Sequence, residues 1–146
     1  DEKAYNAIQL ETPIEGDKIQ LPPSQLSYQD QSYYGYPLVY SRQNISAPCF
    51  SIAEYQRSIN NIKSLIGTRL TDAFFTQDKF YSKELMVDYI DSAYSKISIN
   101  QLQSIRQQTG LRFYLIKTER DELNELLLCQ GDIYNVYDLA KIKSSN

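Results

Sequence analysis

Large apolar residues between positions 51 and 67 fall at Ile52, Tyr55, Ile59, Ile62 and Ile66, spaced three and four apart. That spacing lays one stripe along an α-helix and predicts a helix over 51–66. Ser51 and Glu54 form a Ser-x-x-Glu capping box, and Gly67 stands where a left-handed C-cap belongs. The same period recurs at Leu85, Met86, Tyr89, Ile90, Ala93 and Ile97, predicting a helix over 82–97. It recurs again at Ile99, Leu102 and Ile105, with Ser98 and Gln101 as a second capping box and Gly110 as the stop. A third helix over 99–109 follows. Between the first two, Leu70, Phe74 and Phe75 suggest one or two helical turns, capped by Thr71.

Beyond Gly110 the period changes from near 3.6 to 2. In Leu111 to Lys117 β-favouring residues dominate, and Leu111, Phe113 and Leu115 share a face. Leu126 to Cys129 and Ile133 to Tyr137 read as two more strands around Gly131-Asp132, a pair suited to a two-residue hairpin turn. Residues 119–129 admit a rival helical reading capped by Thr118, since Glu, Leu and Arg favour helices. Lys141 to Asn146 is expected to fray. The pattern as a whole predicts an α+β domain over 49–140, with three helices on one face of a small antiparallel sheet.

Ahead of that domain, residues 1–48 carry no comparable period and are expected to form an extended arm. Pro13, Pro22 and Pro23 oppose regular helix or central strand there. Tyr33, Tyr34, Tyr36 and Tyr40 then crowd eight positions around Gly35 and Pro37. Tyr36 to Tyr40 suits a short edge strand, where Pro is tolerated. Two uses of the tyrosines stand open: rings folded over the domain's own core, or an arm that binds a partner. These four are the candidate partner-binding residues.

Composition narrows the chemistry. The 146 residues carry 15 basic and 18 acidic side chains, net −3, with neither sign gathered into a long run. A nucleic-acid partner is not expected without a basic face, and no apolar run reaches the roughly 18 residues a membrane span needs. The chain holds 13 Tyr but no Trp and no His, which removes Ser-His-Asp and Cys-His arrangements and His-containing metal sites. There is no Gly-rich phosphate loop and no Gly-x-Ser-x-Gly elbow. No catalytic, cofactor-binding or metal-binding residue is therefore expected. Asp88, Asp91, Glu119, Asp121 and Glu122 are the carboxylates that a glycan-acting enzyme could draw on, and each also fits a solvated helix face or turn.

The two cysteines, Cys49 and Cys129, match no Cys-x-x-Cys spacing. Each sits at the edge of a predicted element, and one long-range disulfide is expected, with two buried thiols as the alternative. A disulfide implies an oxidising compartment. The chain starts at Asp1, either the mature end left by signal-peptide removal or an artificial boundary.

Ile99-x-x-Leu102-x-x-Ile105-x-x-Gln108-Thr109-Gly110-Leu111-x-Phe113 resembles the helix–Gly–strand signature of small domains near the N-termini of bacterial secretins and TonB-dependent receptors. It spans about 15 residues, and the chain departs from the family in placing a helix where a strand precedes this one. The resemblance implies a place in the bacterial envelope. The expected function is protein binding by a periplasmic or secreted, non-catalytic protein. It is an accessory subunit of an envelope assembly such as a secretion system or pilus, or alternatively a periplasmic immunity protein that blocks a toxin. A carboxylate-dependent enzyme is the competing class.

Overall fold

The computed structural model describes residues 1–23, 33–40, 52–75 and 83–143. The expected Ser51 cap, Cys49 and the last residues of the tail lie outside these, as do the side chains of Glu54, Tyr55, Phe74, Phe75, Leu85 and Met86. The chain is α+β, as its pattern indicates: helices packed against a small four-stranded sheet.

Five α-helices lie wholly among the described residues, α1 (Glu2–Gln9), α2 (Ile52–Ile66), α3 (Thr68–Phe75), α4 (Lys83–Tyr94) and α5 (Ile99–Thr109), and Tyr33 and Tyr34 are helical as well. The strands are β1 (Lys18–Gln20), β2 (Leu111–Ile116), β3 (Leu127–Gln130) and β4 (Asn135–Asp138), arranged β1-β2-β4-β3. β2 and β4 are antiparallel, as are β3 and β4, but β1 runs parallel to β2 with Ile19 opposite Phe113. The expected antiparallel sheet is therefore mixed. The fourth strand escapes sequence reading because it is three residues long, too short to show a period of two, and Pro22 and Pro23 follow one residue after it.

The extended chain expected at the N-terminus is corrected at its start. Asp1 caps α1 by accepting from the Ala4 amide, Glu2 lies in the first turn, and Ala4 and Ile8 are buried one turn apart. Two core residues make a faint stripe, which is why the period does not announce the helix. Strand β1 then joins the sheet of residues 111–138, so both sides of the expected boundary near residue 48 share one sheet.

All six residues of β2 are buried. Successive strand side chains point to opposite faces, and Tyr114 meets Tyr94 of α4 while Phe113 meets Tyr36 of the arm. The sheet is thus covered on both faces rather than on one. On α2 the buried row is Ser58, Ile62, Leu65 and Ile66, with Ile59 half-buried. Ile52, expected to open the stripe, is 88% exposed. The core row contains a serine, so hydrophobicity alone places the face too far round the helix.

Some helix ends follow the sequence and others depart from it. Gly67 adopts φ +94° and its amide bonds Lys63 O, the left-handed stop expected there. Thr71 lies inside α3 rather than capping it, and its hydroxyl donates to Gly67 O. α4 ends at Tyr94, three residues early, leaving Ile97 buried in the turn that follows. Ser98 caps α5 as expected, but Gln101 does not fold back onto it; its amide reaches Ser64 O of α2 at 3.0 Å. Both readings of residues 119–129 are partly realised, a 3₁₀ turn over Asp121–Leu126 running into β3. The β3–β4 connection is a four-residue loop over 131–134 rather than the expected two-residue turn. The expected fray is held back at its start: Lys141 closes a 3₁₀ turn and Ile142 packs on the core.

Candidate binding face

The four tyrosines of the arm are not equivalent. Tyr34 is 2% exposed and sits in the core, its carbonyl accepting from the Gln9 side chain of α1 at 2.9 Å. Tyr36 packs edge-on against Phe113 at 5.2 Å. Burial pushes its phenol pKa up, only partly offset by the nearby Arg112 charge, so the ring stays neutral. Tyr40 is fixed through its backbone: its amide donates to Gln20 Oε1 at 2.9 Å and its carbonyl accepts from Gln20 Nε2 at 3.3 Å. The expected strand over Tyr36–Tyr40 reduces to a single parallel bridge between Leu38 and Ile19, with Ile19 N donating to Pro37 O and Val39 N to Ile19 O.

Tyr33 alone among the four is strongly exposed, at 44%. Its ring lies 4.9 Å from Tyr34 at 88° and 5.1 Å from Tyr5 of α1 at 48°. Edge-on and tilted contacts of this kind suit the ring quadrupoles and hold the ring in place without covering it. Tyr5 and Gln9 were invisible to sequence reading because α1 was. The signal that could have found them is Asp1 as a cap, followed by Ala4, Tyr5 and Ile8 at helical spacing.

A cleft of about 520 Å³ lies between residues 14–17, the end of α5 and the Leu139–Ile142 segment. That volume is within the range of small-ligand sites. Behind it stands Arg112, 5% exposed. Its Nε and Nη2 grip both oxygens of Asp138, its Nη1 donates to Asp17 and to Thr12 O at 2.8 Å, and its Nη2 also reaches Glu11. Burial works against the charge, but the bonds from Asp17 and Asp138 outweigh it and raise the Arg112 pKa above its ordinary value. Every guanidinium N–H is spent within the fold, so none remains for a ligand in the cleft. A lone Arg in an apolar strand signals a buried charge in need of partners. The partners lie 95 and 26 residues away and no local pattern names them.

The carboxylates stand apart in role. Glu119 accepts from Gln130, and Glu122 pairs with Arg120 at 2.8 Å. The Glu122 carboxyl is held below its ordinary value by its own backbone amide and then by Arg120, the opposite of what a general acid needs. Asp88 and Asp121 are exposed, and Asp91 lines a small pocket of about 100 Å³ beside Tyr94 and Lys117. Among the described residues no His, Cys, Asp and Glu cluster of three or more is placed to hold a metal ion, and no helix is long and apolar enough to cross a membrane. Cys129 is half-buried and free among the described residues, its Sγ 3.7 Å from Lys3 O; Cys49 lies outside them. The chain matches no protein-family model, no curated protein and no solved structure, so its helix–Gly–strand likeness to secretin and TonB-receptor domains stays a local one.

Proposed function

We propose that the chain is an exported, non-catalytic protein-binding protein, an accessory subunit of a bacterial envelope assembly, and that Tyr33 anchors its partner. The observation that carries this is the Tyr33 ring, exposed yet clamped between Tyr5 and Tyr34. A pre-set aromatic ring gives large contact area while little rotamer freedom is left to lose, the property that makes Tyr common at interface hot spots. Tyr34, Tyr36 and Tyr40 support the face from below instead of touching the partner through their rings. Leu10, the residue that closes the helix carrying Tyr5, is 87% exposed.

An immunity protein is the second reading, favoured by the net charge of −3 and the 13 tyrosines. The readings part on the partner: a single small toxin in one case, a large repeated assembly in the other. Replacing Tyr33 with the photo-crosslinking residue p-benzoylphenylalanine in the source cells tests both. The expected result is one discrete protein adduct, absent when the same residue replaces exposed Glu125. A large envelope component in the adduct supports the first reading and a small toxin the second. Equal labelling from both positions would remove the face from the functional account.

A further inference from the structure

Asp1 does more than cap its own helix. Its Oδ1 accepts from Ala4 N and from Asp132 N, both at 3.2 Å, and its Oδ2 accepts from Ile133 N at 2.7 Å and Tyr134 N at 2.8 Å. Three consecutive N–H groups of the β3–β4 loop thus converge on one carboxylate. A run of backbone N–H groups aimed at one point is an anion-binding concavity, and bonds to an ionised acceptor are the stronger kind. Gly131 keeps the concavity open. A Cβ there would lie 2.5 Å from Asp1 Oδ2 and 2.6 Å from Tyr134 O, closer than real contacts allow. Its amide donates to that same Tyr134 O at 2.8 Å and closes the loop.

We propose that residues 131–134 form a carboxylate receptor whose intramolecular ligand is the Asp1 side chain, and that α1 is thereby a latch over β3 that opens without unfolding the sheet. Among the described residues β3 is an outer strand, paired with β4 alone, and α1 packs against it. Among the described residues the other ties at the start of α1 are weak: Cys129 Sγ lies 3.7 Å from Lys3 O, and Tyr5 meets the Tyr33 ring. The Lys3–Asp132 ion pair is 65% and 64% exposed and so adds little, and only Ala4 and Ile8 are buried. A helix of eight residues does not stand without such support. One carboxylate therefore supplies the helix cap and the loop anchor together, and losing it removes both. Opening uncovers the β3 edge and withdraws Tyr5 from Tyr33. The inference is independent of any partner at Tyr33.

Amide hydrogen exchange read by NMR on the full chain tests it. In Asp1→Ala the amides of residues 132–134 and 5–9 should exchange roughly 10- to 100-fold faster than in wild type, the scale of losing charge-assisted hydrogen bonds. Amides of Tyr114 to Ile116 and of Val136 should keep their wild-type rates. Gly131→Ala, which fills the concavity and leaves the carboxylate in place, should give the same local pattern. Acetate added to Asp1→Ala should shift the Asp132, Ile133 and Tyr134 amide signals saturably, and should not in wild type, where the receptor is filled. Unchanged exchange in α1, or an equal rise in β2, would overturn the latch. Absence of a saturable acetate shift would overturn the receptor.

Discussion

Arg112 is the charged residue of the central strand, and it sits where a charge is most expensive to leave alone. Removing it strands Asp17 and Asp138, each buried, without the donor that neutralises them. Arg112→Met is therefore expected to destabilise the fold by about 3–5 kcal/mol in urea melts, a cost set by orphaned carboxylates and not by lost attraction. Tyr94 and Tyr114 raise a different question at the same scale. The Tyr94 hydroxyl lies 2.8 Å from both the Gln20 and Leu115 carbonyl oxygens and shares its one proton between them, and Tyr114 donates to Tyr94 O. Burial pushes both phenols up, Tyr94 well above its ordinary value. A group whose folded pKa exceeds its unfolded one adds stability in full below the unfolded value and loses it as pH rises. Stability should hold to about pH 10, then fall by about 1.4 kcal/mol per pH unit for each such tyrosine. Tyr94→Phe should start less stable and fall more gently above pH 10. Equal slopes for variant and wild type would show that Tyr94 does not resist ionisation.

At the scale of elements, α2 gives the cleanest contrast. Ile62 is fully buried and Ile59 only partly so. Ile62→Ala should cost roughly 2–5 kcal/mol through lost burial plus a cavity, and Ile59→Ala distinctly less. Urea melts of the two decide it; a larger loss for Ile59→Ala would mean that the helix turns its other face to the core. The elements most legible in the sequence were those whose ends carry backbone chemistry. Gly110 at φ +85° and Ser98 bounded α5 to the residue, because a left-handed cap and a serine acceptor leave no latitude. What escaped was context: β1 pairs with β2, far away in sequence, and α1 is seated against β3 with its Asp1 cap in the 131–134 loop. The core row of α2 was misplaced because Ser58 sits in it, and the hairpin loop was misjudged because Asp1, far away in sequence, fills it. Of the candidate face, Tyr33 was legible and its supports Tyr5 and Gln9 were not.

At the scale of the whole molecule, covalent closure and partner binding set the account. We propose that Cys49 and Cys129 join in the oxidised protein, a closure of about 4 kcal/mol in the chain-entropy model. Intact mass after alkylation with and without reduction checks it: no alkylated thiol before reduction is expected, and two would refute it. The central claim is that the tyrosine arm divides into a structural part and a binding part. It is tested most directly by making Tyr33→Ser and Tyr34→Ser separately and measuring, for each, thermal stability and capture of the protein crosslinked at position 33. Tyr34→Ser should cost on the order of 3–5 kcal/mol, as for a large aromatic ring lost from a core, and its capture should weaken only as folding fails. Tyr33→Ser should melt close to wild type, as exposed positions do, and lose capture. A Tyr33→Ser protein that keeps both its melting temperature and its full capture would contradict the account.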